Sequence, residues 1–301
     1  MRRYVMLVSL LLLCGCSAAH AQPFLSPQSY HPLYIVSERE TPTTEPTPTP
    51  TPEPYTPPVV PMRGAGCISQ VGYSCEELET SGVETYHDWG AQLQQCDLPY
   101  LGQWWGINSH LVDPGPCEMV VWLNEPEIPA QSNKTPLQAF PIWPAARARA
   151  DELGIELATA CAELPWLDEW ADLHQAEYGD WPRFDAVCVH SYVCTSWEMA
   201  TNQTVADVLA ARQWSLDHGG NGRVILHEFG MYPICGDSGS YARAVSEEMS
   251  ALGIPHYWWA LTKVPQYVLG PYWEYYPWQS YESSLVTDGQ LTAIGRAYRG
   301  W

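Results

Sequence analysis

The run Met119-Val-Val-Trp-Leu-Asn-Glu-Pro-Glu127 sets an unbroken apolar stretch directly against a polar turn. Apolar continuity without alternation is the pattern of a strand buried on both faces, as in a parallel sheet covered by helices. Pro126 stops the strand and fixes the turn, so Glu125 is delivered at the strand's carboxyl end. A second stretch, Arg223-Val-Ile-Leu-His-Glu-Phe-Gly230, repeats the arrangement with Glu228 at its end and a glycine turn behind it.

Working outward, further short apolar runs recur at intervals filled by helical spacing. The predicted strands are 64–68, 83–86, 101–105, 119–124, 156–160, 186–190, 224–227 and 256–260. Strands alternating with helices imply βα units around a parallel sheet, and this number suits a closed α/β (β/α)8 TIM barrel. Thr135-Pro136 reads as a helix start with proline in the first turn, continued by helical spacing over 145–153. Residues 204–218 form another predicted helix, stopped by Gly219-Gly220. In such a barrel the active site lies at the carboxyl ends of the strands. Glu125, His190, Tyr192, Glu228 and Trp259 all fall there.

Two carboxyls at two strand ends suit glycosidic bond cleavage, in which one donates a proton to the leaving oxygen while the other attacks or activates water. Glu125 is the candidate proton donor, a role that partial burial and a neighbouring negative charge favour; a surface turn glutamate is the plain alternative. Glu228 is the candidate nucleophile, held by hydroxyl or imidazole donors. His190 and Tyr192 share a face by period two, so Tyr192 is placed to orient the nucleophile and His190 to bind sugar hydroxyls, or both are satisfied core polars. His227, next to Glu228, is expected to point behind the barrel, since adjacent strand residues face opposite sides. Trp259 is the candidate sugar platform. The aromatic segment Tyr272-Trp-Glu-Tyr-Tyr-Pro-Trp278 either walls the cleft or plugs the outer helices.

Composition narrows the partner. The formal net charge is −20, with only Lys134 and Lys263 as lysines, which disfavours nucleic acid and anionic lipid and favours a neutral ligand. Phe is scarce at 4 against 15 Trp and 18 Tyr, a balance of flat amphipathic rings that stack on sugars or fill cores. Arg2-Arg3 and the apolar run behind them read as a signal peptide over 1–21, so export is expected, to the extracellular space or the cell surface. Leu13-Cys-Gly-Cys16 offers a lipobox alternative with Cys16 as first residue, the one expected link to a membrane. Residues 22–62, with Thr-Pro and Glu-Pro alternation over 41–54, read as a disordered, extended linker, a tether or an inert tail, ahead of one catalytic domain over 63–301. Eight cysteines remain in that domain; their even number suggests disulfides, with Cys194–Cys235 the best single pair. No Cys-x-x-Cys occurs, so a structural zinc site is not expected. No cofactor or metal is expected for the chemistry either. A monomer is expected.

Asn124-Glu-Pro-Glu127, Gln131-Ser-Asn-Lys-Thr-Pro136, Trp166-Leu-Asp-Glu-Trp170, the stretch 185–190 and His227-Glu-Phe-Gly230 together resemble the catalytic domain of glycoside hydrolase family 128. Tyr86-His-Asp-Trp89 stands where that family has a Tyr-Asn-Trp stretch on its second strand. The resemblance covers most of 63–262. It implies a retaining (β/α)8 hydrolase of the endo-β-1,3-glucanase kind, with Glu125 as acid/base, Glu228 as nucleophile, Asn124 as partner of the sugar 2-hydroxyl and Tyr86 among the substrate-binding residues. Two positions depart: His227 stands where the family usually has Thr, and Ser191 where it has an aromatic.

The expected function is therefore an exported retaining hydrolase of β-glucan, polysaccharide or oligosaccharide, cleaving β-1,3 links without metal, its carboxyls about 5 Å apart. Two alternatives stand beside it: a clan-related enzyme acting on mannan or β-1,4-glucan, and a non-catalytic carbohydrate-binding surface protein.

Overall fold

The computed structural model describes residues 63–69, 72–89, 96–231, 235–262 and 283–300. The expected signal peptide and linker, Lys263 and the aromatic segment 272–278 lie outside them.

Eight parallel strands form the barrel: β1 (Arg63–Cys67), β2 (Thr85–Asp88), β3 (Tyr100–Trp104), β4 (Met119–Trp122), β5 (Glu156–Ala158), β6 (Val187–Val193), β7 (Val224–Met231) and β8 (His256–Trp258). Each predicted run overlaps one of them. Their order is β5-β4-β3-β2-β1-β8-β7-β6, and the two end strands meet through one bridge, Ala158 to Ala186. The disulfide Cys161–Cys188 crosses that seam just above the bridge.

Seven helices are described: α1 (Cys75–Ser81), α2 (Pro136–Ala139), α3 (Trp143–Leu153), α4 (Leu164–Tyr178), α5 (Trp197–Asp217), α6 (Ser238–Leu252) and α7 (Ala293–Arg299). Their ends follow from local chemistry. Ser74 with Glu77, and Thr135 with Gln138, make capping boxes, and Pro136 fits the first turn of α2 where no N–H is needed. Gly154 closes α3 in the left-handed conformation at φ 70°. The predicted helix 204–218 begins earlier, at Trp197, because the Ser196 side chain accepts from the Met199 N–H and starts the helix there. Between β3 and β4 a 3-10 turn, Ser109–Leu111, replaces a helix. Beyond β8 a small hairpin, β9 (Val286–Thr287) with β10 (Gln290–Leu291), precedes α7.

Two cores result. Outside the barrel, tryptophans dominate: Trp122, Trp143 and Trp170 pack edge-on or tilted with centroids 5.0–6.3 Å apart, so much of the tryptophan content serves packing. Inside, Leu101, Met119, Val121, Ala158, Ala186, Ile225 and Tyr257 form a separate apolar cluster with Cys161 and Cys188. Among the described residues there are three disulfides, Cys75–Cys96, Cys161–Cys188 and Cys194–Cys235; the last ties the loops after β6 and β7 together. Cys67 and Cys117 are free thiols.

Gly64 and Gly66 place no side chain on the inner face of β1, and larger neighbours occupy the space. A Cβ at Gly66 would overlap the Trp259 ring and the His87 imidazole. Gly66→Ala should therefore destabilise the protein by about 1–3 kcal/mol through overpacking. Urea unfolding checks it, and a variant as stable as the parent would refute the fit.

Candidate active site

Above the apolar interior lies a polar layer, and the chain reaches it by leaving ordinary strand geometry. At the end of β4, Leu123 and Glu125 adopt φ values of 55° and 38°, a region that disfavours residues with a Cβ. Neighbouring strands hold this turn. The Leu123 and Asn124 N–H groups donate to the Trp104 and Trp105 carbonyls at 2.9 and 3.1 Å, and the Glu125 N–H to the Cys161 carbonyl at 3.1 Å. Backbone outliers of this kind persist where the surroundings over-determine them, commonly at functional sites.

Asn124, fully buried, sits one layer below the mouth. Gln103 Nε2 donates to its Oδ1 at 2.8 Å, and its own Nδ2 donates to Gln131 Oε1 at 3.1 Å. One amide proton remains beyond these two bonds.

β7 carries a bulge just before Glu228. Leu226 pairs with Val189, yet Glu228 pairs with His190, so two residues of β7 oppose one of β6. The extra residue defeats period-two alternation. His227 turns into the barrel rather than behind it, where its Nδ1 lies 3.0 Å from His190 Nε2 and its ring packs against His87 with centroids 3.9 Å apart. Glu228, only 2% exposed, also faces inward. Tyr192 OH donates to Glu228 Oε2 at 2.6 Å and Trp89 Nε1 donates to Oε1 at 2.8 Å. His190 Nδ1 lies 2.9 Å from Glu125 Oε1 and 3.7 Å from Glu228 Oε2.

The electrostatics follow. Burial raises the pKa of Glu228; the charge of His190 opposes the rise, the charge of Glu125 adds to it, and the Tyr192 and Trp89 bonds oppose it. Burial alone would discharge His190, but Glu228 and the hydrogen-bonded Glu125 outweigh it and raise its pKa. His227, without a carboxylate partner, is lowered well below the ordinary imidazole value by burial, and His87 falls to about 3 for the same main reason.

The sequence-predicted residues thus separate. Glu125, Glu228, His190 and Tyr192 converge, and Trp259 lies beside them, stacked on Trp89 at 4.5 Å and 17°. Tyr86 does not join them. It lies in the outer core, its ring between Tyr73 and Tyr100 at 6.1 and 5.2 Å. The predicted strand 83–86 ended too soon: β2 runs to Asp88, so Trp89 reaches the mouth and Tyr86 sits lower, facing out. Period-two counting from Thr85 is the signal that finds His87; Gln103 left no signal of its own.

Beside the carboxyls opens a cavity of about 630 Å³, lined by Glu125, Glu127, Glu163, His190, Tyr192 and Asp207, within the usual range for small-ligand clefts. As metal donors, Glu125, His190 and Glu228 each bring one atom within 4.8 Å of the others, as do His87, His227 and Glu228. In the first set the His190 nitrogen already bonds Glu125. In the second the His87 and His227 rings pack face against face at a tilt of 38°, with centroids 3.9 Å apart.

No family model and no curated protein sequence matches the chain. Solved structures do. A GH128 subgroup I endo-β-1,3-glucanase from Amycolatopsis mediterranei, in complex with laminaritriose, superimposes with a TM-score of 0.61 at 18% identity, over 80% of this chain and 99% of the other. A GH128 subgroup III curdlan-specific exo-β-1,3-glucanase from Blastomyces gilchristii, in complex with glucose, gives 0.57 at 16% identity over 80% and 98%. A GH128 subgroup II endo-β-1,3-glucanase from Sorangium cellulosum gives 0.56 at 16% over 79% and 98%. The chain shares their fold.

Proposed function

We propose that this chain is a retaining glycoside hydrolase that cleaves β-1,3-glucan internally, with Glu228 as nucleophile and Glu125 as acid/base. The observation that carries the reading is the pair itself: a carboxylate oxygen of each lies within 4.8 Å of the other. Retaining enzymes hold their carboxyls about 5–5.5 Å apart, whereas inverting ones leave about 6.5–9.5 Å for a water.

Each step then has a residue. Glu228, its two oxygens fixed by Trp89 and Tyr192, attacks the anomeric carbon while Glu125 passes its proton to the leaving oxygen. Glu125, now ionised, takes a proton from the water that releases the sugar from Glu228. The spare amide proton of Asn124 is the candidate donor to the sugar 2-hydroxyl, and Trp89 with Trp259 the aromatic wall against which a ring packs. Neither step calls for a metal. The sequence resemblance and the shared fold support β-1,3-glucan as the substrate class, since those neighbours act on it. We propose too that the protein is exported, with residues 1–21 as its signal.

The test is hydrolysis of a soluble β-1,3-glucan, with product length and anomeric form followed during the reaction. Internal cleavage giving β-anomeric reducing ends first is the expected outcome. Initial α-anomers would overturn retention, and activity confined to mannan or β-1,4-glucan would overturn the substrate.

A further inference from the structure

We propose that His227 is a positioning residue: its imidazole accepts the inner N–H of His190 and so holds His190 as the cation that bridges to Glu125 and stands against Glu228. An imidazolium has two N–H donors and no acceptor, so in a dry interior both protons need partners. One is supplied by Glu125, 2.9 Å from Nδ1. The other ring nitrogen, Nε2, faces His227 Nδ1 at 3.0 Å. That atom accepts only if His227 is neutral with its proton on Nε2. Its surroundings favour the neutral ring, since His227 is fully buried, hydrogen-bonds no carboxylate and lies against the His87 ring. The 3.0 Å approach of His190 Nε2, shorter than the 3.6 Å of the disulfide sulfur of Cys161 from the same nitrogen, then selects the tautomer with the proton on Nε2, an atom with no partner among the described residues. The β7 bulge is what puts the acceptor there.

The groups facing His190 are Glu125 and Glu127 from the turn after β4, Glu228 and His227 from β7, Tyr192 from its own strand and His87 from β2 behind His227. Asp207 of α5 accepts from the neighbouring Ser191 and from Gln203 and is not among the groups that set the charge of His190. Within this set one proton is shared by His190 and Glu125. Its transfer along their hydrogen bond turns imidazolium and carboxylate into imidazole and carboxylic acid, with atoms and charge balanced and no solvent proton needed. The inference rests on the hydrolase reading only in giving that proton a use: loss of activity at high pH should follow the pair, and His227 should set where it occurs.

The direct measurement is imidazole nitrogen NMR of the intact protein, which needs no substrate. In the wild type, His227 should stay neutral with its proton on Nε2 while His190 titrates as a doubly protonated ring; a His227 proton on Nδ1 would refute the proposal without any variant. In His227→Leu the titration of His190 should fall by about one pH unit or more, the scale of a lost hydrogen bond to a charged group. His227→Asn, whose Oδ1 can take the place of Nδ1, should restore most of it. The alkaline limb of kcat/KM on β-1,3-glucan should move by the same amounts. An unmoved His190 titration in the leucine variant, or an asparagine variant no better than leucine, would overturn the role. An inactive wild type with the titrations as described would instead overturn only the proposed substrate.

Discussion

Glu228→Gln should lower kcat on β-1,3-glucan by on the order of 10⁴-fold or more, the scale on which loss of a covalent nucleophile is felt. The amide keeps the shape and can still accept from Trp89 or Tyr192, so binding of the glucan should survive while turnover does not. That separation matters, because a carbohydrate-binding protein without activity would show no difference in turnover at all. The smaller Glu228→Ala leaves room beside the anomeric carbon. With an activated β-glycoside and azide, the anion should attack from the face Glu228 occupied and give an α-glycosyl azide, since a single displacement inverts. Turnover of the glutamine variant within about tenfold of the parent would remove Glu228 from the chemistry.

What made these residues legible was the abrupt junction of apolar run and polar turn. Both faces of a barrel strand are dry below the mouth, so β4 shows as Met119 to Trp122, and the change of polarity falls at Asn124 and Glu125. The same reasoning fails where a strand carries polar side chains into the site. β2 ends in His87 and Asp88 and β7 continues through His227 and Glu228, so hydrophobicity marks neither strand's end. The first shortfall left Trp89 out of the reading, while Tyr86, named on the resemblance, lies in the outer core. The second was compounded by a bulge, which is a pairing irregularity and has no signature in one sequence. Gln103 was hidden for a third reason: its function is to hold Asn124, and a residue that acts through another carries no motif of its own. The fold and the convergence of the two glutamates were therefore open to sequence reading, while the supporting polar layer depended on register.

Removing the second carboxyl should leave a different signature. Glu125→Gln cannot donate or accept the proton, so hydrolysis of natural glucan should fall by about 10²–10⁴-fold, the usual contribution of a general acid or base. The loss depends on the leaving group. A glycoside of an acidic phenol departs without protonation, so its first step should proceed nearly as in the parent, with a burst of phenol. The second step still needs a base to activate water, so the glycosyl-enzyme on Glu228 should accumulate, and kcat and KM should fall together. Azide attacks that intermediate without needing a base. In Glu125→Ala it should yield a β-glycosyl azide, the retained product of two displacements, opposite to that from Glu228→Ala. Two variants of carboxyls within 4.8 Å of each other thus give opposite anomers with the same anion, an outcome available only if Glu228 forms the bond and Glu125 moves the proton. The same anomer from both would mean that the roles, or the pair, have been wrongly assigned.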